Sequence, residues 1–180
     1  NCSGLAVPGY ELRIVDDYGD EVPVGELGNL HVCGPTSAIM YWNQREKSRD
    51  TFQGRWTVTG DKYRIDEEGY FIYGGRTDDM LKVGGIYVSP FEVEGALIAH
   101  EAILEAAVVG HPDSDKLVKP KAFVVLKAGY KHTENLVDQL KSFVRDTLAE
   151  FKYPRWIEFL DELPKTATGK IQRFKLRAPL

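Results

Sequence analysis

Residues 75–99 read GRTDDMLKVGGIYVSPFEVEGALIA, and the pattern changes character inside this stretch. Before it the chain is made of short alternating segments punctuated by glycine. After it, helical spacing alternates with short apolar runs. Within it, Met80–Val88 with Gly84-Gly85 near its centre predicts a hairpin. Ser89-Pro90-Phe91-Glu92 is a capping box with proline at the first helical position, so a helix is expected from about Pro90 to Ala99.

Working upstream, Tyr10–Val15 alternates before a turn at Asp16–Asp20, where Gly19 supplies φ > 0. Leu27–Cys33, Trp56–Thr59 and Tyr70–Tyr73 are further strand candidates, and Glu46–Thr51 reads as a helical turn. Working downstream, Ala106–Val109 and Ala122–Leu126 are short apolar strand candidates. Leu136, Val137, Leu140, Phe143, Val144, Thr147, Leu148 and Phe151 trace one buried helical face, with Thr133 as its N-cap. The tail, Leu163–Leu180, is polar and basic around a Thr-rich loop. The fold class is α/β (α+β) in two parts: a small β-rich subdomain over 1–77, then an α/β domain over 78–180.

Composition narrows the function classes. Hydrophobic residues are 43% of the 180 and charged residues 28%, which excludes disordered, collagen-like and coiled-coil readings. No apolar run approaches the roughly 18–20 residues of a membrane span, and no basic segment followed by an apolar run marks a secretory signal. Cys2 and Cys33 are too few for a disulfide scaffold or a four-ligand zinc site, so a cytoplasmic location is expected. The first residue is Asn1, not Met, which suggests a piece of a longer polypeptide.

The net charge of −4 hides an asymmetry. Residues 1–115 hold nine Lys/Arg against 20 Asp/Glu, whereas residues 116–180 hold 14 against seven. A basic half concentrates polyanions, and nucleic acid, a membrane surface and a phosphate-rich cofactor all qualify; a solvated face of scattered lysines is the plain alternative.

Three short motifs carry chemistry. Lys165-Thr166-Ala167-Thr168-Gly169-Lys170 is not a Walker A loop, because Pro164 and Ile171 stand where that motif needs Gly and Ser/Thr. A loop lysine can still bring a cation to a phosphate from outside the main site, although an exposed, solvated lysine is the commoner case. Thr59-Gly60-Asp61, at the end of a strand candidate, could offer a loop carboxylate to a ribose diol. Gly75-Arg76-Thr77-Asp78-Asp79 sets a cation and two acids on the junction. Each motif alone has an ordinary structural explanation, since Gly-Asp turns and charged turns are common.

Taken in order, TGD (59–61), GRTDDMLKVGG (75–85), PFEVE (90–94), YPR (153–155) and LPKTATGKIQR (163–173) resemble the closing motifs of the adenylate-forming enzymes, over essentially the whole chain. YWNQREKSRDTFQGRWTVTGDKY (41–63) and KYPRWIEFLDELPKTATGKIQRFKLR (152–177) look like benzoate-CoA ligases and their aryl-CoA synthetase relatives. The resemblance implies two half-reactions: a carboxylic acid, here an aromatic one, attacks the α-phosphate of Mg-ATP, and coenzyme A then displaces AMP. It implies that residues 1–77 end a large AMP-binding domain and that 78–180 form the small lid domain.

Position by position, the resemblance gives Asp61 the ribose hydroxyls and Arg76 the ribose and phosphate, and sets Tyr73 against the nucleotide. It makes Asp78 the hinge between two lid orientations and Lys170 the lysine that reaches the adenylation site. A compact ammonium on a mobile loop suits a transition state that gains negative charge at phosphorus. Gly84 and Gly85 fall in the strand along the pantetheine tunnel, with Gly84 where many relatives carry Ser. Lys116 and Tyr153-Pro154-Arg155 match positions that meet the nucleotide end of coenzyme A.

The phosphate loop, the acyl-pocket helix and most Mg2+ ligands of the family lie upstream, so no turnover is expected from these residues alone. Nucleic acid and membrane are not expected as partners. A lysine acetyltransferase or deacetylase acting on Lys170 is, because related synthetases are controlled that way. A medium-chain acyl-CoA synthetase, an aryl-adenylating enzyme that loads a carrier protein, and a non-catalytic interaction module remain the alternatives. The full set Asp61, Arg76, Asp78 and Lys170 counts against the last.

Overall fold

In the computed structural model, which describes residues 2–177, the chain forms two compact units, Asn1–Asp78 and Asp79–Leu180. The junction falls after Asp78, where the sequence reading placed it after Thr77.

The first unit is an antiparallel sheet. Its elements are β1 (Cys2–Gly4), β2 (Glu11–Val15), β3 (Gly28–Cys33), α1 (Arg45–Thr51), β4 (Phe52–Gln53), β5 (Trp56–Ile65) and β6 (Phe71–Arg76). The strands lie in the order β1-β6-β5-β3-β2, with β4 also paired to β5. Period-two alternation puts Ile14 opposite Leu30 in register, and these two with Phe71 make the buried core. Leu12, Val22, Val32, Tyr63 and Ile65 pack around them.

β5 runs ten residues, well past the Trp56–Thr59 seen in the sequence. Thr59-Gly60-Asp61 therefore lies inside a strand, not in a loop at its end. The extension was hidden because the β5–β6 register shifts between Lys62 and Tyr63, which breaks the alternation. β1 and β4 were missed because three and two residues are too short to show a period.

The second unit begins with a hairpin, β7 (Leu81–Val83) and β8 (Ile86–Val88). It continues through α2 (Pro90–Ile98), β9 (Ile103–Pro112), β10 (Val118–Leu126), α3 (Glu134–Thr147) and β11 (Trp156–Phe159). Ser89 Oγ accepts the Glu92 backbone N–H and Thr133 accepts that of Leu136, so both expected helix starts are made. β10 pairs antiparallel with β9 and parallel with β11, the α3 crossover supplying the length a parallel return needs.

Both faces of this sheet are covered, which is why β9 and β10 read as continuous apolar runs. Ala106, Val108, Ala122 and Val124 meet Val93, Leu97, Leu140 and Val144 of the helices. Ala107, Val109, Phe123 and Val125 meet Leu163, with Leu160, Ile171 and Leu176 packed against them. The tail expected to be merely polar and basic is thus the second layer of the unit, up to the last described residue, Arg177. Among the described residues no helix is long and apolar enough to cross a membrane.

Candidate functional site

In the first unit the chemistry gathers where β5 and β6 lie side by side. Asp61 and Arg76 are direct cross-strand partners. Arg76 Nη1 donates to Asp61 Oδ1 at 3.2 Å and to the Thr59 carbonyl at 3.3 Å, and its Nε lies 3.5 Å from Asp78 Oδ1. Gly60 makes this approach possible. It holds φ +75°, and a Cβ there would sit 3.0 Å from Arg76 Nη2. Partial burial works against the charge of Arg76, but the carboxylates of Asp61 and Asp78 hold its pKa above the ordinary guanidinium value. Tyr73, on β6, sets its ring edge-on to Tyr63 at 5.3 Å.

The turn into the second unit, Thr77–Asp79, is tied on both sides of Asp78. On one side Thr77 Oγ1 lies 3.4 Å from Asn29 Oδ1, and Asn29 Nδ2 donates to Asp17 at 3.2 Å. The buried Lys62 ammonium meets the same Asp17 carboxylate at 3.3 Å. On the other side Asp79 takes ion pairs from Arg173 and Arg177. Asp78 itself is largely exposed.

Lys170 stands in the second unit on a closed turn. Thr166 N–H donates to the Lys170 carbonyl at 2.8 Å, Gly169 N–H to the Thr166 carbonyl at 2.9 Å, and Lys170 N–H to Thr166 Oγ1 at 3.1 Å. Lys165 and Ile171 form a β-bridge at the base. The turn is stitched by these bonds, with the exposed Lys170 side chain projecting from it; among the described residues that ammonium makes no ion pair.

The remaining expected positions separate. Gly84 and Gly85 do not lie in a strand: they are the two-residue tip of the β7–β8 hairpin, at φ +58° and +87°. Positive φ at both central positions is what a type I′ turn requires, and a Cβ at either would meet open space. Tyr153 and Pro154 are buried, so their side chains support the core while only Arg155 of that run reaches the surface. Arg145 and Arg155 stack on the Tyr153 ring at 3.9 and 4.2 Å. Lys116 is exposed at φ +60° in a turn closed by Asp113, whose carboxylate accepts the N–H groups of Asp115 and Leu117.

One buried group was not anticipated. Glu94, in the middle of α2, is 5% exposed and accepts Val108 N–H at 2.8 Å. Arg173 donates to both of its oxygens, from Nη2 at 2.9 and 2.8 Å and from Nε at 3.2 Å. Burial pushes the Glu94 carboxyl above its usual range in spite of these donors. PFEVE and KIQR were both in view, yet 79 residues separate the partners and no local pattern joins them. Among the described residues no group of three or more His, Cys, Asp or Glu side chains could hold a metal ion.

The geometry is thus a two-sided α/β unit with an exposed lysine turn, following a sheet that carries a paired Asp and Arg. Residues 92–170 match the AMP-binding enzyme C-terminal domain. Beyond that domain, the chain is similar to the C-terminal part of longer CoA ligases. It is 63% identical to the benzoate–CoA ligase of Thauera aromatica over 98% of its own length and 34% of that protein. It is 53% identical to the 4-hydroxybenzoate–CoA/benzoate–CoA ligase of Rhodopseudomonas palustris, over 97% and 33%. Among solved structures it superposes on an anthranilate CoA ligase in complex with anthranoyl-AMP, with a TM-score of 0.92, 56% identity, and 97% of this chain and 34% of that one covered. The chain thus spans about a third of the length of the relatives it matches.

Proposed function

We propose that these residues close the active site of an aryl-CoA synthetase that uses ATP and coenzyme A. The observation that carries this reading is the joint presence of the Asp61–Arg76 pair and an exposed Lys170 on a hydrogen-bonded turn in a chain 63% and 53% identical to two benzoate-type ligases. More distant relatives, such as a Bacillus subtilis acetyl-coenzyme A synthetase and the human mitochondrial acyl-coenzyme A synthetase ACSM5, are each 43% identical, which favours an aromatic acid over a short or medium aliphatic one.

In the first half-reaction a carboxylate oxygen bonds to the α-phosphorus of ATP while the bond to pyrophosphate breaks. Asp61 is an acceptor for ribose hydroxyls. Arg76, already among two carboxylates, can turn a guanidinium N–H toward ribose or phosphate. Lys170 supplies positive charge as negative charge builds on the phosphoryl oxygens. In the second, the coenzyme A sulfur bonds to the acyl carbon, AMP leaves with the carboxyl oxygen, and the thiol proton is lost. Asp78 acts as the hinge, and Gly84-Gly85 keep the tip of the β7–β8 hairpin free of side chains. Lys116 and Arg155 are the exposed cations for the phosphates of coenzyme A, with Tyr153 and Pro154 holding Arg155 in place. Mg2+ accompanies ATP, held by groups outside these residues. Two free cysteines support a reducing cytoplasm as the compartment, and the exposed Lys170 is open to an acetyltransferase.

The deciding experiment uses the full-length protein. Lys170→Ala should lower the rate of benzoyl-adenylate formation by about 10²–10³ and leave the thioester step from supplied benzoyl-adenylate nearly unchanged. Equal loss of both steps would refute the division of labour, and turnover of aliphatic acids alone would refute the substrate class.

A further inference from the structure

We propose that Glu94 and Arg173 are positioning residues for Lys170, an inference that deepens the function proposed above and rests on it. Three residues beyond Lys170 the chain turns inward, and the Arg173 side chain, 11% exposed, lies over the Phe91 ring at 4.6 Å. Its three hydrogen bonds to Glu94 fix both the place and the direction of the arm that leaves the lysine turn. Glu94 is in turn held by α2 and by the Val108 N–H of β9, so the arm is referred to the two elements at the centre of the unit. The incoming arm is anchored separately, by the buried Leu163 and by Lys165, which pairs with Glu105 at 2.6 Å.

A buried ion pair is a poor way to gain stability, because its desolvation offsets most of the attraction and apolar side chains of similar size often serve as well. What it supplies is direction. Apolar packing alone would let the arm slide, whereas a bidentate guanidinium–carboxylate contact admits one geometry. Arg173 also reaches Asp79, at 3.7 Å, the residue that follows the proposed hinge. The lysine turn and the first residue of the unit are thereby joined through one guanidinium. Lys170 then moves with the unit as a single body and arrives at phosphorus in one pose.

The test uses the full-length protein, with pyrophosphate–ATP exchange for the first half-reaction and thioester formation from supplied acyl-adenylate for the second. The double variant Glu94→Gln, Arg173→Met, which keeps an acceptor for the Val108 N–H, should melt within about 4 °C of the parent. It should lose about 10- to 100-fold in kcat of the first half-reaction, with KM for ATP and the second half-reaction unchanged. Arg173→Lys, which keeps the charge without the fork, should fall between, and it decides the matter if the double variant does not fold. Unchanged exchange in either variant, or equal loss of both half-reactions, overturns the positioning role while leaving the function intact. A parent that shows no adenylation, or whose Lys170→Ala variant adenylates normally, removes the function and this inference with it.

Discussion

Each unit builds an arginine between two carboxylates, and the two clusters differ in how far they are open to water. In the first, Arg76 stands between Asp61 and Asp78 with side chains 48%, 27% and 77% exposed. In the second, Arg173 stands between Glu94 and Asp79 at 11%, 7% and 18%. The same chemistry is open and exchangeable at the surface, where water screens it and a ligand can replace a partner. Sealed in the interior it becomes a fixed joint. A charged residue near a phosphate site is therefore better sorted by its exposure than by its type.

The sharpest break in this comparison is Glu94→Ala. Removing one partner strands the Arg173 charge and the Val108 N–H, and should cost about 3–5 kcal/mol in denaturant unfolding of the second unit. The matching surface change, Arg76→Ala, should cost about 0–1 kcal/mol and instead raise KM for ATP in the full-length protein. Similar stability losses for the two would mean that exposure does not separate the roles.

Gly60→Ala sharpens the comparison from the backbone. At φ +75° an alanine carries about 1–2 kcal/mol of strain, and its Cβ would crowd Arg76 Nη2. Gly84→Ala, at φ +58° with nothing near it, carries the strain alone. Both should lower stability by a similar amount, but only Gly60→Ala should weaken nucleotide binding. Equal nucleotide affinity in the two would show that Arg76 is not held by that contact.

The basic half offers a smaller effect. Lys116→Ala and Arg155→Ala should each raise KM for coenzyme A about two- to fivefold, the range of a 0–1 kcal/mol surface contact. The effect should shrink at high salt, since exposed charges are screened beyond about 8–10 Å. An identical response with dephospho-coenzyme A would show that they do not read the 3′-phosphate.

What could be read in the sequence was what neighbours decide. Ser89-Pro90 starts α2, the 3.6-residue rhythm from Leu136 draws α3, and Gly84-Gly85 marks the hairpin, because each signal lies within one element. The members of the site were legible only as an ordered set of motifs resembling a family, not from the physics of any one of them. What stayed hidden depends on distant pairing. Asp61 meets Arg76 across a bulged ladder, and Glu94 meets Arg173 across the unit. Leu163, Ile171 and Leu176 follow no period because they dock a tail, not a strand or helix, onto a sheet. Tyr153 and Pro154 were given to a ligand along with Arg155 because the family resemblance covers the run as a whole, and only Arg155 is exposed. A run of three adjacent residues cannot show which of them points inward.

A last contrast concerns pH. His31, on β3 of the first unit, is 9% exposed, and its Nδ1 lies 3.3 Å from Arg13 Nη2, which donates to it. Burial first, and then the Arg13 charge, lower the His31 pKa below 6.5. The unfolded chain, whose histidine titrates near the ordinary value, therefore takes up this proton before the folded one does. Stability from neutral His31 is complete above about pH 6.5 and declines as pH falls below it, with a slope of at most about 1.4 kcal/mol per pH unit for one proton. Trp56 reports on the same place, because Arg13 stacks on its ring at 4.3 Å. With Trp42 and Trp156 replaced by Phe, Trp56 fluorescence should follow unfolding at a lower denaturant midpoint at pH 5.5 than at pH 7.5, and His31→Gln should remove most of that difference. If the midpoint falls as much in the His31→Gln variant, the acid sensitivity of the first unit has another origin, and the guanidinium of Arg13 is not held against a neutral ring.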